Sequence, residues 1–176
     1  MAHEDEPGDD ALVSAAKRGE RAAFGALYRR HARLVQAVLL ARMPRDAVDD
    51  LVQDVFLQAM DGIRSLRDGS SFPSWIVTIA RRRAADWRRR RRETVELTHD
   101  MPAEPKDESR ARAEEVVAAI ASLPEAYRET MMLRFVAGLD GPEIAARTGL
   151  THGSVRVNLH RGTAMLRAKL GGLRDA

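Results

Sequence analysis

The amino-acid sequence predicts an all-α protein of two small helical domains joined by a flexible linker. Glycine and proline are sparse, with 12 and 7 in 176 residues, and aromatic residues make up only 5%. Apolar residues recur at helical spacing rather than alternating as they do in strands. Between residues 93 and 110 this periodicity stops, Pro102 and Pro105 appear, and acidic residues dominate. The predicted division is a first domain at 1–92, an acidic linker at 93–110 and a second domain at 111–176.

Charge is distributed unevenly along the chain, although the formal net charge is only +3. Basic residues collect at 81–92 and 147–174, whereas acidic residues collect at the N-terminus, at 46–61 and at 93–115. This asymmetry favours basic surfaces for nucleic acid and a separate acidic surface for a protein partner. The acidic N-terminus lacks the pattern of a signal peptide, and no apolar run is long enough to span a membrane. We therefore expect a cytoplasmic protein without membrane insertion.

Three helices are expected before the first polar loop: a short one capped by Asp9 or Asp10, one over about 20–42 and one over about 47–63. The third helix has an apolar face and, opposite it, an acidic one. We call the members of that second face the acidic strip: Asp49, Asp50, Gln53, Asp54 and Leu57. An exposed Leu57 is not needed for folding, and an acidic rim around an apolar spot suits a basic partner surface. From this stretch alone, a solvated face with one stray leucine is the commoner interpretation.

A polar loop at 64–71 leads into a fourth helix whose second half is strongly basic. Eight arginines stand within residues 81–92, opposed by the single Asp86. Such a helix could hold a nucleic-acid backbone while nearby aromatic rings stack on unpaired bases. The helical spacing of Phe72 and Trp75 favours a core position for Trp75. A merely charged helix end is the alternative for the arginines.

The segment 140–170 predicts a helix-turn-helix with a basic outer face. Asp140 and Glu143 form a capping box, Gly149 suits a left-handed turn, and Thr151 caps the second helix. One side of that helix is apolar, and the other presents Gly153, Val157, His160, Arg161 and Ala164, flanked by Arg156 and Asn158. No carboxylate occurs between Glu143 and the end of this helix, so the outer face suits a DNA major groove. A helical hairpin with solvated arginines fits the same pattern.

No catalytic residue, metal site or cofactor is predicted. The five histidines are scattered, no nucleophile and base stand at a catalytic spacing, and no glycine-rich phosphate cradle occurs. Cysteine is absent, which excludes disulfides and thiolate ligands. We therefore expect a binding protein rather than an enzyme.

Several stretches resemble one family when they are taken in order: AAFGALYRRH, DAVDDLVQDVFL, FPSWIVTIARRRAADWRRR, LPEAYRETMMLRFVAGLDGPEIAARTGL and THGSVRVNLHRGTAMLRAKL. The chain resembles a bacterial sigma factor of the extracytoplasmic-function group, the minimal form with only regions 2 and 4. The resemblance covers nearly the whole chain apart from the first few residues and the linker. It implies a non-enzymatic initiation factor that brings core RNA polymerase to promoters and assists DNA melting, with region 2 in the first domain and region 4 in the second.

The resemblance implies roles for individual positions. The acidic strip becomes the contact with the clamp helices of the polymerase β′ subunit, which reverses the preference for a solvated face. The loop and the basic helix become the part that recognises and melts the minus-ten element: Arg67, Asp68, Ser70, Phe72, Trp75, Arg81, Arg82, Arg83, Trp87, Arg88 and Arg89. The second helix of the helix-turn-helix becomes the reader of the minus-thirty-five element: Thr151, His152, Ser154, Arg156, Val157, Asn158, His160 and Arg161.

The resemblance also implies partners. These are the β flap of core polymerase, promoter DNA as duplex and as single strand, and, for many members of the family, an anti-sigma factor that covers the polymerase-binding face. The acidic linker is similar to family linkers that thread towards the polymerase active centre. A stand-alone helix-turn-helix repressor or activator is the alternative function. It would leave the acidic strip and the basic helix without a role.

Four positions depart from the family pattern. Arg82 stands where an asparagine often follows Ala-Arg, and Val157 and Asn158 replace a hydroxyl residue and an arginine on the recognition helix. We expect Val157 to meet a thymine methyl group and Asn158 an adenine edge, which would change the preferred promoter. Gly162 replaces the usual alanine and should weaken its helix by about 1 kcal/mol. The sequence offers no functional reason for this glycine.

Overall fold

Helices account for nearly all of the structure. The computed structural model describes residues 7–93 and 108–174, and within these ranges it contains eight α-helices and no strand, which confirms the predicted all-α class. The N-terminal unit comprises α1 (Asp9–Lys17), α2 (Arg21–Leu40), α3 (Val48–Gly62) and α4 (Phe72–Glu93). The C-terminal unit comprises α5 (Glu108–Ala121), α6 (Glu125–Phe135), α7 (Gly141–Thr148) and α8 (His152–Arg174). Short 3₁₀ turns lie in the N-terminal unit at Arg45–Ala47, Ile63–Ser65 and Gly69–Ser71.

Helix α1 begins at Asp9 with Gly8 as its N-cap, so the prediction that Asp9 or Asp10 caps it is wrong. Both carboxylates stand in the first turn, where the positive end of the helix dipole favours them. Asp9 also reaches across to α2, where it accepts from Arg30 at 2.9 Å and lies 2.9 Å from Nε2 of the buried His31. Burial lowers the pKa of His31 below its usual range and outweighs the opposing effect of Asp9.

The N-terminal unit is a bundle in which α2, α3 and α4 pack against one another and α1 covers α2. Each helix contributes one apolar stripe, because residues three and four apart share a face. The stripes meet in a core whose fully buried side chains include Leu27, Val35, Val38, Val55, Phe72, Ile76 and Val77. This packing leaves the opposite face of α3 and the far end of α4 at the surface.

The C-terminal unit is built around α6, which packs against α5, α7 and α8. The predicted capping box is present at the start of α7. Asp140 accepts from the backbone N–H of Glu143 at 2.8 Å, and Glu143 accepts from the backbone N–H of Asp140 at 2.8 Å. Gly149 ends α7 in the left-handed conformation, with φ of 73°. Helices α7 and α8 therefore form the predicted helix-turn-helix.

A close approach of α8 to α6 explains the glycine at position 162. A Cβ there would lie 2.7 Å from Sδ and 2.8 Å from Cγ of Met131, whose side chain is fully buried. A side chain there would require Met131 or one of the two helices to shift. Gly162 thus allows α8 to lie directly on α6, a reason that the sequence alone did not offer.

The two units contact each other through α2 with α6 and through α4 with α7. Their buried apolar residues form one continuous cluster. Residues 94–107, which make up most of the predicted linker, lie outside the described residues. Helix α4 extends to Glu93 and α5 begins at Glu108, so helix covers both ends of the 93–110 range.

Candidate polymerase and nucleic-acid interfaces

The acidic strip lies on the exposed face of α3, opposite the face that is buried in the core. Leu57 is 56% exposed, and Met60 on the same helix is 48% exposed. Asp54 also lies near α4, with its Oδ2 atom 3.4 Å from Nη2 of Arg83. The face therefore combines an apolar side chain in water with several carboxylates. Such a combination suits a basic and partly apolar protein surface.

The loop between α3 and α4 is shaped by Asp68. Its carboxylate accepts from the backbone N–H of Ser70 at 3.0 Å and from the hydroxyls of Ser70 and Ser71 at 2.7 and 2.8 Å. These hydrogen bonds lower the pKa of Asp68 below its usual range, because they stabilise the ionised form. Asp68 is therefore engaged within the loop, while the neighbouring Arg67 is exposed to solvent.

Helix α1 fixes the position of this loop. Nζ of Lys17 donates to the carbonyl oxygen of Leu66. Gly69 lies so close to α1 that a Cβ there would be 2.7 Å from Oδ1 and 2.8 Å from Cα of Asp10. Sequence reasoning gave Lys17, Gly69 and Asp10 no part in positioning this loop. The only signal was a glycine in a polar loop, which does not reveal a close approach to another helix.

Phe72 and Trp75 lie on the core side of α4. Phe72 is fully buried, with its ring centroid 5.4 Å from that of His31 and 5.8 Å from that of Trp75. The expectation that Phe72 contacts the minus-ten element is therefore corrected, because its ring cannot stack on a base without leaving the core. Trp75 is half-buried against Phe72 and Gly62, which agrees with the core position that its spacing predicted.

The arginines of α4 differ in their surroundings. Nη2 of Arg89 lies 3.0 Å from Oδ1 of Asp86, one turn earlier on the same helix. Trp87 is half-buried, and the guanidinium carbon of Arg91 lies 5.0 Å from its ring centroid. Three of the predicted minus-ten arginines are exposed on this helix: Arg82, Arg88 and Arg89. This surface can meet phosphates, and the Trp87 indole stands beside it.

Arg81 is directed towards the C-terminal unit instead. Its Nε and Nη2 atoms donate to Oε1 of Glu129 on α6 at 2.9 and 2.8 Å, and Nη2 also donates to the carbonyl of Arg147 at 3.1 Å. Oε2 of Glu129 accepts from Nη2 of Arg42 at 2.5 Å. We call Arg42, Arg81 and Glu129 the interdomain bridge. Sequence reasoning missed Glu129, because its spacing does not distinguish it from the other acidic residues on surface helices.

The first turns of α8 present most of the predicted minus-thirty-five contacts. Thr151 caps the helix: its Oγ1 accepts from the backbone N–H of Ser154 at 3.1 Å and lies 2.9 Å from the Ser154 hydroxyl. Val157 is 43% exposed, so no packing requirement accounts for its apolar side chain. A shallow depression on this face is lined by Arg156, Val157, His160 and Arg161. Together with the exposed His152, these residues form the outer face of the recognition helix.

Asn158 turns towards α6. Its side chain is half-buried, and Nδ2 donates to the carbonyl of Ala126 at 3.3 Å and to Oγ1 of Thr130 at 3.4 Å. In this conformation the Asn158 amide is directed into the protein, so the packing does not favour the expectation that it reads an adenine edge, which stays a prediction. One turn before Gly162, it helps to hold α8 against α6.

Within residues 7–93 and 108–174, no group of three or more acidic or histidine side chains is close enough to hold a metal ion. Among the same residues, no helix is both long and apolar enough to cross a membrane.

Both units match family models in the order that the resemblance implied. Residues 27–94 match Sigma-70 region 2, and residues 113–166 match Sigma-70 region 4. The RNA polymerase sigma factor NccH of Alcaligenes xylosoxydans xylosoxydans is 33% identical over 92% of this chain and 94% of its own length. The ECF RNA polymerase sigma factor EcfG of Rhodopseudomonas palustris is 32% identical over 71% of this chain and 72% of its own.

A solved structure also matches both units together. CnrH in complex with the cytosolic domain of CnrY is 28% identical and has a TM-score of 0.69, covering 93% of this chain and 97% of CnrH. The sequence of CnrH from Cupriavidus metallidurans is 31% identical over 97% of this chain and 96% of its own. The chain belongs to the RNA polymerase sigma factors of the extracytoplasmic-function group, which direct RNA polymerase to specific promoters.

Proposed function

We propose that this sigma factor divides its work among three surfaces. The acidic strip on α3 binds the clamp helices of core polymerase, the loop with α4 captures the minus-ten element as single strand, and α8 reads the minus-thirty-five element as duplex. The observation that carries this proposal is Leu57, which is 56% exposed among carboxylates on α3, in the unit that does not contain the recognition helix. A repressor or activator that bound DNA alone would need no such surface.

Capture of the minus-ten strand uses the loop and the far end of α4. The exposed Arg82, Arg88 and Arg89 hold phosphates of the backbone, and their charges make this binding dependent on salt. An unpaired base then enters the loop, where Arg67 and Ser70 are exposed beside the fixed carboxylate of Asp68. Stacking on an aromatic side chain is worth roughly 1–3 kcal/mol per base, and Trp87 is the aromatic ring adjacent to the exposed arginines. Phe72 has no direct part in this step.

Recognition of the minus-thirty-five element uses the outer face of α8. Arg156 and Arg161 supply donors for guanine edges or phosphates, and His160 lies between them in the same depression. Val157 meets a thymine methyl group, since it is the apolar side chain in that depression. In this proposal Asn158 acts only by holding α8 on α6. The base pair that faces this position of the helix is therefore read less strictly.

The C-terminal unit has a further surface that suits the β flap of polymerase. Phe135, at the end of α6, is 49% exposed. It lines a depression together with Leu159 and Thr163 of α8 and the basic side chains of Arg134 and Arg167. An exposed ring at the edge of such a depression is typical of a protein contact.

Control by a second protein is also part of the proposal. CnrH was solved in complex with the cytosolic domain of CnrY, and this chain is similar to CnrH in both units. By that similarity, an anti-sigma factor covers the acidic strip of this chain until an inducing signal releases it. A cytosolic partner domain, together with the need to reach core polymerase, supports a cytoplasmic location.

Run-off transcription tests the proposal. Core polymerase is combined with this chain and a promoter library, and core affinity is measured in parallel for Leu57→Ala and for Gln58→Ala, an exposed neighbour outside the acidic strip. Loss of the leucine contact should weaken core binding about tenfold, whereas Gln58→Ala should match the wild type. Both variants should bind minus-thirty-five duplex equally. A wild-type chain that binds duplex DNA but never engages core polymerase would overturn the proposal in favour of a stand-alone regulator.

A further inference from the structure

Helix α1 lies beside the loop at 64–71, although it is outside the part of the chain that matches region 2. That match begins at residue 27, whereas α1 spans Asp9–Lys17. The helix contacts α2 and the two 3₁₀ turns of the loop, Ile63–Ser65 and Gly69–Ser71. The proposed function gives the loop an unpaired base to capture, but it gives α1 no part in that step.

The packing of α1 makes it a fixed support. Its apolar side chains Leu12 and Val13 are only 5% and 1% exposed, so they belong to the core of the N-terminal unit. At its first residue, Asp9 accepts from Arg30 at 2.9 Å and lies 2.9 Å from Nε2 of His31, both on α2. Apolar burial and these polar contacts together hold α1 on α2.

Two contacts attach the loop to this support. Nζ of Lys17 donates to the carbonyl oxygen of Leu66. Three residues later, Gly69 lies so close to α1 that a Cβ there would be 2.8 Å from Cα of Asp10. Leu66 and Gly69 are buried, whereas the two residues between them are exposed. The exposed part of the loop is therefore displayed between two attachment points on α1.

Of the two attachments, Lys17 supplies the directional one. Glycine at position 69 permits a close approach, whereas a hydrogen bond from an ionised donor favours one position of the loop backbone. The helix dipole also favours a cation in this last turn of α1. That role is shared with Arg18, the C-cap residue, whose Nη2 lies 2.8 Å from Oε1 of Glu20. The contact that distinguishes Lys17 from its neighbour is the one with the loop.

We propose that Lys17 is a positioning residue for capture of the minus-ten strand and that α1 is a working part of the minus-ten reader. Lys17 does not contact DNA. It holds the carbonyl of Leu66 and thereby orders the loop before the strand arrives, so less conformational entropy is lost on binding. An ordered loop also fits one base better than the others, whereas a loose loop adjusts to several. The inference rests on the proposed function for the role of the loop, and the attachment of the loop to α1 rests on the contacts alone.

Two neighbouring substitutions test the attachment in the whole chain. Lys17→Met keeps an unbranched side chain and removes the donor and the charge. The matched control is Arg18→Met, which also removes a cation from the end of α1 but leaves the loop contact intact. Both variants should keep the helicity of the wild type by circular dichroism. Amide hydrogen exchange in peptides that cover residues 64–71 should become faster in Lys17→Met and stay unchanged in Arg18→Met.

Binding is measured with holoenzyme assembled from core polymerase and each variant. The probes are fluorescent single-stranded oligonucleotides with minus-ten sequences found by run-off transcription, and each position carries the four bases in turn. Lys17→Met should bind the preferred oligonucleotide roughly fivefold more weakly, because fewer of its loops are in the competent conformation. The affinity ratio between the best and the worst base at the captured position should also fall severalfold. A loss of folded protein would weaken binding of all oligonucleotides equally and leave this ratio unchanged.

Salt dependence separates positioning from direct contact with the strand. Because Lys17 makes no phosphate contact in this proposal, the slope of log affinity against log salt concentration should be the same for Lys17→Met and the wild type. Loss of one phosphate contact would instead reduce that slope by about 0.7.

Three results would overturn the inference: an unchanged base ratio in Lys17→Met, equal effects of Lys17→Met and Arg18→Met, or a reduced salt slope in Lys17→Met alone. The second would assign the effect to the charge at the end of α1, and the third to a phosphate contact. If wild-type holoenzyme gives no promoter-directed transcripts, the proposed function fails and the positioning role fails with it. Hydrogen exchange of residues 64–71 then still decides whether Lys17 holds the loop on α1.

Discussion

Substitution of Gly162 by alanine places two effects of opposite sign in competition. Alanine is about 1 kcal/mol more favourable than glycine inside a helix. Gly162→Ala would therefore stabilise α8 if there were space for the added Cβ. The new Cβ would instead lie 2.7 Å from Sδ of Met131, where ordinary contacts are 3.4–4 Å. Met131 is fully buried, so a shift of its side chain would disturb the packing around it. Overpacking of this kind costs about 1–3 kcal/mol, so the net change should be a loss of roughly 0–2 kcal/mol.

The sign should reverse when Met131 is shortened. In a Met131→Ala background the clashing atoms are gone, and Gly162→Ala should then raise the free energy of unfolding by about 1 kcal/mol. The four proteins of this double-mutant cycle are unfolded with urea in the presence of sucrose. Sucrose stabilises the folded state, so that even the least stable variant is folded at the start of the titration. Far-UV circular dichroism follows the transition. If Gly162→Ala is equally stabilising with Met131 present and absent, α8 does not lie against α6 as described, and the explanation of this glycine is wrong.

Three shorter predictions concern the loop, the buried histidine and the recognition helix. Gly69→Ala should displace the loop from Asp10 and weaken binding of a single-stranded minus-ten oligonucleotide severalfold, with core affinity unchanged in a pull-down titration. The lowered pKa of His31 means that the unfolded chain binds a proton first as pH falls. The free energy of unfolding should therefore be constant above about pH 6.5 and decline below it, by at most about 1.4 kcal/mol per pH unit, and His31→Gln should flatten that decline. Asn158→Ala should cost about 1 kcal/mol of stability but leave the base preference in a promoter-library selection unchanged, whereas Val157→Ser should change that preference.

The features that the sequence predicted correctly depend on residues close together in the chain. The capping box of Asp140 and Glu143 and the turn at Gly149 involve partners within a few positions, so their types and spacing are sufficient evidence. The exposure of Leu57 could be predicted for the same reason, since helical periodicity alone assigns it to the face of α3 opposite the core-facing side. Local rules of this kind determine the fold class and the position of the helix-turn-helix.

The expectations that the packing does not favour depend on contacts between distant residues. The position of Asn158 on α8 allows its side chain to face either DNA or α6. Its direction in the structure depends on hydrogen-bond acceptors about 30 residues earlier, at Ala126 and Thr130. Phe72 received its minus-ten role only from the resemblance, which does not say which rings are enclosed. Its burial depends on contacts with distant elements, among them His31 of α2. Periodicity assigns a side of a helix, but it does not say which other helix lies there.

The basic segment of α4 shows why charge density cannot assign roles to single arginines. In the sequence these residues form one uniform run, and each is an equally good candidate for a phosphate contact. The structure separates them: Arg81 is held by Glu129, Arg83 lies near Asp54, and Arg91 stacks on Trp87. A guanidinium that already has an anionic partner must exchange it for phosphate, so its net contribution to DNA binding is smaller than that of an exposed one. For Arg81 the anionic partner is Glu129 on α6 of the C-terminal unit, so a phosphate contact at this position would also cost a contact between the two units.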